Sequence, residues 1–71
     1  MKLLIVGLGS MGKRRARLIK GIDPAIQVFG VDSSAQRRTQ AAELGITAYA
    51  GIAEALAAGQ YDAGLVCTAP I

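Results

Sequence analysis

The chain has 71 residues, which allows one domain at most; a chain this short buries only about 60% of the surface its unfolded form exposes, so marginal stability is expected. Its apolar, Ala- and Gly-rich composition argues against intrinsic disorder. The longest apolar run, residues 3–6, is too short to cross a membrane, and a single cysteine rules out an internal disulfide framework. The net charge of +3 gathers in two clusters, Lys13, Arg14, Arg15, Arg17 and Lys20, then Arg37 and Arg38. No aromatic residue near either cluster could stack on bases, so they are read as solvated helix faces, with no nucleic-acid partner expected. Lys2 precedes an apolar run that glycines interrupt at once, with no cleavage site after it, so no signal peptide is expected and a cytoplasmic location is.

Residues 2–7, "KLLIVG", form a short apolar run ended by glycine, the pattern of a parallel strand covered on both faces. Residues 11–20 follow as a helix whose Ala16 and Ile19 face the sheet while the cations point away. Lys20 and Gly21 are stop signals, and Asp23-Pro24 marks a turn. A second strand covers 26–32. Ser33 and Gln36 have the spacing of a capping box, which starts a second helix running to about Leu44 and ended by Gly45. A short third strand at 46–50 leads to a third helix at 52–58, with Ile52 and Leu56 on one face and Gly59 closing it. A fourth strand is expected at 63–69. This βαβαβαβ order predicts an α/β fold, a parallel sheet with right-handed crossovers and three helices. Cys67 is expected to be a small buried strand residue, and Tyr49 and Tyr61 packing residues.

Gly7, Gly9 and Gly12 make a G-x-G-x-x-G turn between the first strand and the first helix. In that setting the first glycine permits the tight turn and the second lets the backbone approach a pyrophosphate. The third lets the helix pack close to the strand. Free N–H groups around Ser10 and Met11 then face the phosphates, helped by the helix dipole. Asp32 stands at the end of the second strand, where a carboxylate accepts hydrogen bonds from the adenosine ribose and repels a 2′-phosphate. Ser33 beside it joins the expected site. The expected cofactor is NAD, with NADP left open by Arg37 and Arg38. These two oppose the dipole of the second helix and are read first as solvated, with Arg37 kept as a cofactor-binding candidate. The sheet order expected for such a partial Rossmann fold is 3-2-1-4. It leaves the fourth strand as an apolar edge through which the chain is expected to self-associate.

The stretch "GLGSMGKRRARLIKGIDPAIQVFGVDSS" resembles the start of the Gfo/Idh/MocA family of NAD(P)-dependent oxidoreductases, whose glycine turn often reads G-x-G-S-[IM]-G. "YDAGLVCTAP" is similar to a strand and turn of that family that runs along the cofactor. Thr68 matches its threonine, which implies a cofactor contact; Pro70 matches its second proline, and Ala69 departs from the first. Arg15 stands where a histidine is common. The resemblance covers the whole chain but only the first part of the family's nucleotide-binding domain. It implies hydride transfer between a nicotinamide and a small hydroxyl or carbonyl substrate, sugar-like ones among them. The family's catalytic lysine and histidine have no counterpart here, and the chain contains no histidine. No catalytic residue and no metal ligand are therefore expected within these residues. "GLGSMG" also resembles the opening of the β-hydroxyacid dehydrogenases, but the later residues fit that family less well.

Two other classes of function share a glycine turn and an acid after the second strand. One is a regulatory nucleotide-sensing Rossmann module. The other is the start of an S-adenosylmethionine-dependent methyltransferase, against which the Gly12 and Ala16 spacing argues, since it serves a helix packed close to a pyrophosphate.

Overall fold

Residues Leu3 to Val6 carry no polar side chain, and in the computed structural model, which describes residues 1–67, they form most of a central strand. This strand, β1 (Lys2–Val6), pairs in parallel with β2 (Gln27–Val31) on one side and with β4 (Ala63–Val66) on the other. The short β3 (Thr47–Tyr49) extends the sheet beyond β2. The order is β3-β2-β1-β4, with the helices α1 (Ser10–Ile22), α2 (Ala35–Glu43) and α3 (Ile52–Ala58) as crossovers. This is the partial Rossmann-like arrangement that the alternation of elements predicts. No helix among the described residues is long and apolar enough to cross a membrane.

Strand periodicity divides the core in two. Leu3, Ile5 and Val28 lie on one face with Ala16 of α1, Ala41 of α2 and the fully buried Ile46. Ile19 packs against the same cluster, as its spacing from Ala16 predicts. Leu4 and Val31 lie on the other face with Ala55 of α3. Each helix therefore meets the sheet through an alanine, which allows close approach, and the larger side chains of the strands fill the space beside it. Tyr49 and Tyr61 are packing residues as expected. Tyr61 meets Phe29 edge to face at 5.4 Å between ring centroids, and its hydroxyl donates to the Ala55 carbonyl at 2.7 Å.

Several boundaries differ from the sequence-based expectation. Helix α1 begins at Ser10 and continues through Gly21 to Ile22. Its stop is Asp23, whose backbone N–H donates to the Ile19 carbonyl while its carboxylate accepts from the Ala25 N–H. Helix α2 is capped by Ser34, not by a Ser33–Gln36 box: the Ser34 hydroxyl accepts from the Arg37 N–H at 3.3 Å. The cause lies one step back, because the Asp32 carboxylate takes the Ser34 N–H at 2.9 Å and turns the chain so that Ser34 occupies the cap. Gly45, at φ +78°, ends this helix region as predicted. On α3 the face carrying Ile52 and Leu56 turns outward, at 50% and 59% exposure, because Ala55 is the residue that docks on the sheet. Strand β4 ends at Val66; the rest of the expected strand beyond Cys67 lies outside the described residues, as do Thr68 and Pro70. β4 pairs with β1 alone among the described residues, and Val66 is 70% exposed.

Candidate functional site

A parallel sheet whose chain leaves β1 in one direction and later returns to its other side opens a crevice at the carboxyl ends of the strands. Here β1 lies between β2 and β4, and a groove of about 650 Å³ opens at that end. Seven of the residues expected to hold a cofactor line it: Gly7, Gly9, Ser10, Met11, Asp32, Ser33 and Arg37. Gly12 lies just beneath, buried at the base of α1. Thr68, expected as a contact, lies outside the described residues.

The three glycines have three different physical reasons. Gly7 has φ +97°, the left-handed region that side chains avoid, and its N–H donates to the Val31 carbonyl at 2.8 Å. Gly12 allows no side chain: a Cβ there would stand 2.0 Å from the Gly7 carbonyl oxygen. Gly9 has ordinary extended backbone, φ −66° and ψ −171°, and a Cβ on it would meet nothing closer than the Arg37 guanidinium carbon at 3.9 Å. Nothing in the chain's own packing requires glycine at position 9. What its missing side chain leaves is open space in the groove, directly before the first turn of α1. No side chain caps that turn and no acid sits in it, and its leading N–H groups have no acceptor within the helix.

Between the glycines, Leu8 is clamped twice. Its side chain is fully buried and lies over Gly30 of β2, where a Cβ would come within 2.6 Å of it. Its N–H donates to Asp32 Oδ2 at 2.8 Å. Gly30 was not singled out by sequence reasoning, although an isolated glycine inside a strand is a signal for close approach.

Asp32 is buried, at 8% exposure, and holds three elements together. Oδ2 accepts from Leu8 in the glycine turn, Oδ1 accepts from Ser34 at the start of α2, and Arg37 Nη1 stands 3.6 Å from Oδ2. Burial by itself pushes the carboxyl upward. The Ser34 and Leu8 N–H groups and the Arg37 charge outweigh it, so Asp32 titrates below its ordinary value of 3.8. The unfolded chain therefore takes up this proton first. The stabilisation from ionised Asp32 is complete above about pH 4 to 5 and is lost as pH falls through the folded value. In urea titrations from pH 7 to pH 2.5, Asp32→Asn is expected to remove this part of the acid sensitivity. At pH 7 the variant should cost about 1–3 kcal/mol, because an amide can satisfy only one of the two backbone donors.

The solvated reading holds in part for Arg37, which is exposed, and not for Arg38, which is partly buried. Arg37 is half-exposed yet lies in the groove against Asp32 and over Gly9, while Arg38 donates from Nη1 to the Asp32 carbonyl at 2.8 Å. Their shared partner sits at the strand end, a contact that helix periodicity alone does not reveal. In the first cluster, Lys13 donates to Gln40 and Lys20 to the Leu44 and Gly45 carbonyls, tying α1 to α2 and its end.

Sequence reasoning also passed over the apolar walls of the groove, Val6, Val31 and Ile52, together with Gly51 at the start of α3. Cys67 is half-buried, just past β4, and lines the groove as well; its N–H donates to the Val6 carbonyl at 2.8 Å. Among the described residues no cluster of three metal-ligating side chains occurs. Comparison with protein-family models, with curated proteins and with solved structures gives no match to this chain.

Proposed function

We propose that this chain holds the pyrophosphate and adenosine ribose of NAD, as the cofactor-binding part of a cytoplasmic oxidoreductase. The parent activity in this reading is hydride transfer between the nicotinamide and a small hydroxyl or carbonyl compound, sugar-like ones among them. The observation that carries the proposal is Gly9. It is the one glycine of the turn that the fold itself does not need, and it opens the groove at the point where a phosphate must approach backbone N–H groups.

The rest of the groove fits the same ligand. The N–H groups at Ser10 and Met11 stand at the positive end of α1 and suit phosphate oxygens. Asp32 keeps acceptor capacity beyond its two backbone bonds, which suits ribose hydroxyls. Val31 and Ile52 offer apolar surface to a base. The cationic side chains of α1, from Lys13 to Lys20, raise the local concentration of an anionic ligand. The cofactor supplies the hydride chemistry, and the residues named here bind and orient its adenosine end.

Calorimetric titration tests the proposal. NAD is expected to bind at millimolar concentration or below, and S-adenosylmethionine is expected not to displace it. Absence of NAD and NADP binding at millimolar concentration overturns the proposal; displacement of NAD by S-adenosylmethionine points to a methyltransferase instead.

A further inference from the structure

An acid at the end of the second strand ordinarily selects NAD by repelling a 2′-phosphate. In this chain the acid is not free to act alone. Asp32 is bound to the backbone through both oxygens, Oδ1 by Ser34 and Oδ2 by Leu8, and the guanidinium of Arg37 faces Oδ2 at 3.6 Å. Its charge is turned inward, onto the turn and the helix start that it joins. Asp32 still lines the groove, but the exposed charged side chain at this corner is Arg37, 55% exposed, with its guanidinium carbon 3.9 Å from where a Gly9 Cβ would stand.

The charges around the corner add to the same picture. Arg38 is bound through the neutral Asp32 carbonyl, so its positive charge is not cancelled there. Two guanidinium groups thus stand around a single carboxylate, Arg37 against the carboxylate itself and Arg38 on the backbone carbonyl, beside the exposed Ser33 on the rim of the groove. A second phosphate on the ribose would enter a net positive corner, and a guanidinium can take two of its oxygens at once.

Resting on the dinucleotide reading above, we infer that Arg37 sets the cofactor preference. It receives the ribose 2′-phosphate, so that NADP binds at least as tightly as NAD despite Asp32. In leaving Asp32 Oδ2 for the phosphate, Arg37 exchanges one anionic partner for another. Asp32 keeps both of its backbone donors throughout, and the turn stays in place.

The experiment compares 2′,5′-ADP with 5′-AMP, which differ only in the 2′-phosphate, by titration into the full chain and into Arg37→Gln and Arg37→Lys, with NAD and NADP in parallel. Wild type is expected to bind 2′,5′-ADP at least as tightly as 5′-AMP. Arg37→Gln is expected to lose about tenfold or more on 2′,5′-ADP while 5′-AMP changes by less than about twofold, and Arg37→Lys to recover part of the loss. Equal effects of Arg37→Gln on both nucleotides, or a wild type that prefers 5′-AMP by about tenfold, overturn the inference and leave NAD binding standing. If all four ligands fail to bind, the dinucleotide reading falls and this inference with it.

Discussion

Gly12→Ala is expected to unfold much of the protein. The added methyl would lie 2.0 Å from the Gly7 carbonyl oxygen; the backbone fixes the methyl and the oxygen is itself backbone, so no rotamer change relieves the overlap. Relief requires α1 to move off β1, which opens the contact of buried Ala16 with the sheet. Overpacking inside a core costs about 1–3 kcal/mol when side chains can adjust, and a backbone collision belongs at or above the top of that range. A natural chain of this length has roughly 4–10 kcal/mol of stability in total, and a small domain stands toward the lower figure. Urea unfolding followed by circular dichroism should show a midpoint far below wild type or no folded baseline. A midpoint within experimental error of wild type would show that α1 does not sit on the glycine turn as described.

Gly9→Ala should behave in the opposite way. Its methyl meets nothing closer than 3.9 Å within the chain, and the backbone there is ordinary. The stability change is expected to stay below about 1 kcal/mol, the usual size of a capping difference at the start of a helix. Affinity for NAD is expected to fall by about tenfold or more, since the methyl projects into the space a phosphate needs, and each tenfold corresponds to about 1.4 kcal/mol. Measured together, the two variants separate the demands of folding from those of binding at positions three residues apart. Equal NAD affinity in Gly9→Ala and wild type would remove the main support for the dinucleotide reading.

Much of this architecture is legible in the sequence because its signals are local. The apolar run at residues 3–6, the glycines after it, the turn at Asp23-Pro24 and the helix stop at Gly45 act over a few residues, and the strand order follows from the alternation, although α1 runs past the stop expected at Gly21. The candidate site was legible to the extent that its residues belong to one spaced pattern, from Gly7 to Asp32. What was not legible depends on contacts between distant segments. Gly30 makes room for Leu8 across the β1–β2 pair, and nothing near either residue announces the other. Ser34 replaces Ser33 as the cap because a carboxylate two residues earlier captures its N–H, a choice between adjacent serines that spacing rules do not resolve. Arg37 and Arg38 have the same local character in the sequence but diverge in space, one toward the Asp32 carboxylate and the other toward its carbonyl. Ile52 and Leu56 are both exposed, and it is the smaller Ala55 that docks on Leu4 and Val31 of the sheet, a contact that helix periodicity does not single out.

The position of β1 between an early and a late neighbour gives folding a natural order. Leu3 pairs with Val28 after a single crossover, but with Ala63 only after the chain has passed through β2, β3 and two more helices. Closing the longer loop costs more entropy and is rewarded only when β4 finally docks. The β1–α1–β2 unit can assemble first, and with Asp32 just past β2 it already contains the glycine turn, the Leu8 clamp and the Leu8–Asp32 hydrogen bond. During synthesis this unit emerges from the ribosome before β4 does. The glycine-turn side of the groove can therefore form in nascent chains before its other wall, at Cys67, has arrived.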